Sequence, residues 1–228
     1  MWSFIEVGET YLKIWKFGKK QDLQEIIDVD VSDNYLSDTS VPLFKGMDKA
    51  KLYFLVNSHK TIIRFNENID TAISYNHVLD ETSDNAWKSA LPAAISEGIV
   101  KLCRLSEIPE KRIRQIDSLE YRLCRYLADI HKDLIWVLVP QEPGIRLIVM
   151  EDKAYVQNYY FSNNPGFRQD EINRILLCQE KPPKKAVLVS DNKKYTWLEK
   201  FLEDKSITVY KDEQNIKKEM ITNLCNQK

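Results

Sequence analysis

Four cysteines and three histidines have the widest chemical range in this chain, and their spacing withholds most of it. Cys103, Cys124, Cys178 and Cys225 lie far apart with no Cys-x-x-Cys pair, so neither a zinc knuckle nor a dithiol redox motif is present. Buried, reduced thiols are the expectation. His59, His77 and His131 lack the i,i+4 spacing that sets two imidazoles on one helix face, and no metal is expected. Glu107 and Glu110, set among Arg and Lys, read as a solvated helix end. The basic run Lys181-Pro182-Pro183-Lys184-Lys185 has the charge to meet a membrane surface or an acidic partner, but reads more simply as a solvated loop before a buried strand.

Composition narrows the classes further. Hydrophobic residues make up 43% and charged residues 29% of 228, enough for one large domain or two small ones with real cores. Lys and Arg number 33 against 34 Asp and Glu, so there is no cationic excess to release counterions from nucleic acid. No apolar run reaches the ~20 residues that cross a bilayer, and Met-Trp-Ser-Phe-Ile-Glu has neither a basic n-region nor a long apolar h-region. A cytoplasmic protein is expected.

The elements that must position any site follow from periodicity. Ser3 to Val7, Tyr11 to Phe17 and Gln24 to Val31 spell an antiparallel meander, with turns at Gly8-Glu9 and Gly18-Lys19-Lys20. After a polar loop from Ser32 to Met47, two β-rich runs, Lys51 to Val56 and Thr61 to Phe65, are joined through a hairpin turn at Asn57-Ser58-His59. Leu91, Ala94, Ile95, Ile99, Leu102 and Leu105 recur at helical spacing, with Pro92 close to the helix start. A strand at Ile113 to Ile116 leads through the capping-box-like Asp117-Ser118-Leu119-Glu120 into a helix ending near Ile130. A second meander follows at Leu134 to Val139, Ile145 to Met150 and Tyr155 to Phe161. Helices near 168–178 and 195–203 then alternate with strands at Ala186 to Ser190 and Ser206 to Tyr210, ahead of a last amphipathic helix. Both halves therefore contain the order strand, strand, strand, helix, strand, helix, which the second continues by one more strand and helix.

This duplicated order resembles the actin-like superfamily, which includes sugar kinases, chaperone ATPases, FtsA and PilM. The resemblance implies an α/β fold of two ribonuclease H-like halves, residues 1–131 and 132–228, with a small β-rich insert near 50–66 in the first half. The stretch Phe4-Ile5-Glu6-Val7-Gly8-Glu9-Thr10-Tyr11-Leu12-Lys13 resembles the opening of PilM, and Ile116-Asp117-Ser118-Leu119-Glu120 resembles the strand and helix ahead of that family's second half. In active members two Asp-bearing hairpin turns hold magnesium and phosphate, and a glycine-rich late turn receives adenosine. By that resemblance Glu6, Gly8, Thr10 and Lys13 would be the contacts of ATP, with Glu6 where the family has Asp. The second turn, Pro140-Gln141-Glu142-Pro143-Gly144, lacks Asp and spends a donor on Pro143. The late turn Val189-Ser190-Asp191-Asn192-Lys193 has no glycine.

A kept fold with eroded turns is most similar to the cytoplasmic domain of the secretion protein GspL, and next to PilM. The resemblance implies no catalytic residue, no bound cofactor, and a scaffold at the inner membrane face that binds the cytoplasmic tail of a membrane partner. A homodimer is compatible with it. A degenerate ATPase or sugar kinase, or a self-associating structural protein, are the alternatives. Tyr155, Tyr159 and Tyr160 read as sheet packing, whereas Trp2, Trp15 and the run Lys51 to Val56 could offer an aromatic groove and an edge strand to a partner.

Overall fold

The computed structural model describes residues 2–18, 22–30, 38–65, 75–79, 87–141, 144–152, 154–161, 165–190, 193–211 and 213–226. The chain divides into two compact units, Met1–Arg122 with Ile221–Lys228, and Leu123–Met220. The division thus falls at 122/123, inside a helix and ahead of the break expected after residue 131. Hydrophobic periodicity shows that a helix is amphipathic, not which body buries each of its turns.

In the first unit β1 (Trp2–Val7), β2 (Tyr11–Phe17) and β3 (Leu23–Asp30) form the expected antiparallel meander. A 3-10 segment (Asp38–Phe44) leads to β4 (Lys51–Val56), which pairs in parallel with β1, Trp2 opposite Lys51 through Val7 opposite Val56. Then come β5 (Ile62–Phe65), β6 (Tyr75–Leu79), β7 (Trp87–Pro92), α1 (Ala93–Leu105), β8 (Ile113–Ser118) and the first turn of α2 (Leu119–Ile130), whose residues from Leu123 belong to the second unit. The main sheet has the order β3-β2-β1-β4-β8. Because side chains alternate along a strand, Ile5, Val7, Leu12, Ile14, Leu52, Phe54 and Val56 share one face and bury against Phe44 and against Ile95, Ile99, Leu102 and Cys103 of α1. Ala93 opens α1 directly after Pro92, as the proline predicted.

Lys51–Val56 does not belong to the insert expected near 50–66. It is the fourth strand of the main sheet, flanked by β1 and β8, so it offers no edge to a partner and Asn57-Ser58-His59 is not a hairpin turn. The insert is the separate three-stranded sheet β5-β7-β6 between β4 and α1. Trp15 is fully buried and so cannot line an open groove, while Trp2 is half-buried and stacks on Tyr53 with ring centroids 5.4 Å apart.

The second unit repeats the plan. β9 (Ile135–Gln141), β10 (Gly144–Glu151) and β11 (Ala154–Phe161) form the meander, followed by α3 (Pro165–Cys178), β12 (Lys185–Leu188), α4 (Thr196–Glu203), β13 (Thr208–Lys211) and α5 (Glu213–Asn226), whose residues from Ile221 count with the first unit. The sheet order, β11-β10-β9-β12-β13, matches that of the first unit strand for strand. Trp136, Leu138, Ile145, Leu147, Val149, Ala186 and Leu188 bury one face against Leu198 and Leu202 of α4. Among the described residues no helix is long and apolar enough to cross a membrane.

Equivalent helices of the two units end alike. Glu107 (φ 58°) follows α1 and donates to the Arg104 carbonyl, while Ile108 N–H reaches Cys103 at 2.9 Å. Ser206 (φ 62°) follows α4 and donates to the Glu203 carbonyl, while Ile207 N–H reaches Leu202 at 3.0 Å. Each is a Schellman cap with a non-glycine residue in the left-handed conformation and a buried isoleucine after it. Left-handed backbone costs an L-residue roughly 1–2 kcal/mol, partly offset by the entropy glycine loses on folding. Glu107→Gly and Ser206→Gly are therefore each expected to stabilise the chain by about 0.5–1 kcal/mol in denaturant melts. A loss of stability in both would contradict the cap assignment.

Cys103 and Cys124 are buried and Cys178 is exposed; burial pushes the Cys103 thiol up to about 12. The side chain of Cys225 lies outside the described residues. Site-resolved maleimide labelling should modify Cys178 in the native protein and Cys103 and Cys124 only after denaturation. Native labelling of Cys103 at the rate of Cys178 would show that the core is not closed as described.

Candidate functional site

The parallel strands β1, β4 and β8 end side by side, the place where open α/β sheets gather ligand-binding groups. Ile5 and Val7 face the apolar core, so Glu6 between them points to the opposite face, where it is 1% exposed. Its Oε1 accepts a hydrogen bond from the Tyr11 hydroxyl at 2.5 Å, and that hydroxyl oxygen accepts one from Asn57 Nδ2 at 2.8 Å. The Tyr11 ring lies on Gly8: a Cβ there would sit 2.1 Å from Tyr11 Cε1, so only glycine fits beneath it. Gly8 N–H is itself consumed, donating to the Tyr11 carbonyl at 2.9 Å to close the turn.

A second group of buried polar residues follows β4 and β8. Ser58 Oγ donates to Glu9 Oε1 at 2.6 Å, and His59 Nδ1 lies 3.2 Å from the same oxygen. Thr61 Oγ1 sits 2.7 Å from Glu120 Oε2 and 2.8 Å from the Ser58 carbonyl, sharing one proton between two acceptors. Ser118 caps α2: its Oγ accepts from Tyr121 N–H at 3.3 Å and donates to Glu120 Oε2 at 2.7 Å. Glu120 is thus turned inward onto two hydroxyls and is not the reciprocal member of a capping box. Asp117, 1% exposed, accepts from Ser118 N–H at 2.8 Å and from Gln115 Nε2 at 3.2 Å, and pairs through Oδ2 with Arg122 Nε. These residues form one polar cluster of the first unit.

Of the four residues the sequence singled out, Glu6 and Gly8 come together under Tyr11. Thr10 is exposed at the turn, and Lys13 lies 3.6 Å from Asp28 on the neighbouring strand and 5.4 Å from the Trp15 ring centroid. Tyr11, Asn57, Thr61, Asp117 and Glu120 were not among the expected site residues. The short run of polar residues after each strand was the available signal, and it reads equally as turn and cap.

The second unit shows what occupies the same positions there. Asn57 N–H donates to the Val7 carbonyl at 2.8 Å, and Val189 N–H to the Leu138 carbonyl at 2.9 Å, so Val7 corresponds to Leu138 and Glu6 to Val137. Val137 is wholly buried and carries no carboxylate. The β9–β10 hairpin continues to Gln141 and Gly144, where a Cβ would strike the Phe161 carbonyl oxygen at 2.1 Å. Buried Arg146 reaches Gln141 Oε1 at 3.3 Å. Glu142, Pro143, Asp191 and Asn192 of the expected second and late turns lie outside the described residues. Among the described residues no group of three or more His, Cys, Asp or Glu is arranged to hold a metal.

No protein-family description and no curated protein matches this sequence. Solved structures do match it. One is a Bacteroides thetaiotaomicron protein of unknown function with an actin-like ATPase fold, 10% identical over 97% of this chain and 95% of that one, TM-score 0.70. The type IV pilus biogenesis complex PilM–PilN is 11% identical over 92% and 88%, TM-score 0.63. A putative 2-dehydro-3-deoxygalactonokinase from Sinorhizobium meliloti is 7% identical over 100% and 96%, TM-score 0.54. The chain has the actin-like fold, duplicated as its order of elements implied.

Removing one partner of a buried ion pair strands the other charge, typically at a cost of about 3–5 kcal/mol. Arg122→Ala leaves buried Asp117 without its guanidinium and is expected to cost about 3 kcal/mol in chemical denaturation. A cost near that of an exposed surface pair would show that the cluster is solvated.

Proposed function

We propose that this chain is a non-catalytic scaffold of a type IV pilus or type II secretion-like assembly, which holds a cytoplasmic segment of an inner-membrane partner at the inner face of the membrane. Tyr11 carries the proposal. In the turn where an active relative would seat a phosphate, its ring covers Gly8, its carbonyl takes the Gly8 N–H, and its hydroxyl takes Glu6. Space, donor and carboxylate are all consumed inside the protein. The second unit adds Val137 where a matching carboxylate would stand. Charge-assisted hydrogen bonds contribute about 1.5–3 kcal/mol each, so losing two or three weakens a phosphate site by orders of magnitude. Likeness to the PilM–PilN complex supports the partner-binding half of the proposal by analogy of fold.

An enzymatic reading rests on a different observation: Asp117 at the end of β8 and Glu120 in the first turn of α2 are buried carboxylates, and one structure of this fold is a putative 2-dehydro-3-deoxygalactonokinase. Calorimetry separates the two. Magnesium-ATP should give no binding heat with the wild-type protein up to about 1 mM. Labelled peptides copying the cytoplasmic tails of membrane proteins encoded nearby should bind it and raise fluorescence anisotropy. ATP hydrolysis by the wild type that Glu120→Gln abolishes would overturn the scaffold and establish the enzyme.

A further inference from the structure

We infer that the β11 edge of the second unit is a self-pairing surface, through which two copies of this chain join antiparallel across a two-fold axis, Gln157–Phe161 against its own copy. β11 is the outermost strand of its sheet. Its sequence, Ala-Tyr-Val-Gln-Asn-Tyr-Tyr-Phe, contains no charge and no proline. Val156 is 53% and Tyr160 38% exposed, and Gln157 and Asn158 between them are exposed as well. Consecutive residues of a regular strand point to opposite faces, so exposure of both Gln157 and Asn158 leaves both sides of this edge accessible. A bulge offsets the start of the strand, and regular pairing with β10 runs from Gln157 opposite Val149 to Phe161 opposite Ile145. That regular stretch is the part able to template another strand.

Other edges of the main sheets carry devices against such pairing. β3 has exposed Glu25, Asp28 and Asp30, which its own copy would set acid near acid. β8 carries exposed Arg114, and β13 is four residues long and ends in Lys211. β11 has neither brevity nor charge to protect its regular stretch. A two-fold centred on Tyr159 would set Tyr159 against itself, Asn158 against Tyr160 of the copy, and Gln157 against Phe161 of the copy. Amide then meets aromatic on both faces, with the Tyr159 pair at the centre of one, and no charge is left opposite its like. A charged foreign segment would find no counter-charge along this strand, whereas a second copy matches it residue for residue, as an isologous contact requires. The two sheets would run on as one across the axis.

Analytical ultracentrifugation from about 1 to about 200 µM tests this, since an interface of one strand pair is small and weak. The wild type is expected to show a monomer–dimer equilibrium. Asn158→Lys and Asn158→Glu, whose side chains lie diagonally across the axis, should each raise the dissociation constant about tenfold or more. An equimolar mixture of the two variants should restore dimers, which a merely misfolded variant could not do. A wild type that stays monomeric over this range overturns the inference, even if the edge takes up an extended foreign peptide. So does a dimer that neither variant weakens, or one that mixing fails to restore. Partner-peptide binding is read separately, so the outcome is distinguishable from failure of the scaffold proposal.

Discussion

Each unit is organised by a first strand that lies in the middle of its sheet. β1 has the antiparallel β2 on one side and the parallel β4 on the other, and β9 is placed in the same way between β10 and β12. Antiparallel neighbours can be joined by a turn, but parallel ones need a crossover long enough to return the chain to the starting end. The 3-10 segment supplies that return in the first unit and α3 in the second. One backbone hydrogen bond then marks where each parallel pair stops, from Asn57 to Val7 and from Val189 to Leu138. Strand ends held level in this way bring Glu6 and Asn57 into one small volume around the Tyr11 hydroxyl, although they are distant in sequence, and set Asp117 in the same register two strands from Glu6.

What fills that volume differs between the units because burial treats carboxylates and aliphatics differently. A desolvated carboxylate costs several kcal/mol unless hydrogen-bond donors replace its water. In the first unit the replacements are internal: Tyr11 for Glu6, Ser118 and Thr61 for Glu120, and Arg122 for Asp117. A nucleotide-binding turn keeps such donors free for its ligand. Here they are committed to the protein itself. The second unit avoids the cost with Val137 and packs it as core.

Much of the fold was legible because alternation and helical spacing are strong where one face is wet. The two meanders and α1 belong to this class. Lys51–Val56 failed for a physical reason: a strand buried on both faces is a continuous apolar run, which looks the same in an insert as in the centre of a sheet. β6 and β7 were missed as strands, and Leu91, read as the first helical residue, ends up in β7. Glu107 and Ser206 gave no notice of their left-handed caps, since neither is the glycine that usually marks one. The site was half legible. Glu6 and Gly8 were found through resemblance, but nothing in the local pattern says that Tyr11 folds back over its own turn, or that Glu120 faces a hydroxyl donated from 59 residues away.

Thr61 stands at the root of the inserted sheet, one residue before β5 begins. Its backbone N–H and its hydroxyl both reach the Ser58 carbonyl, and the hydroxyl also meets Glu120 at the start of α2. The inserted sheet is therefore not a loose appendage: any displacement of β5 reaches the first turn of α2 through a single side chain, that of Thr61.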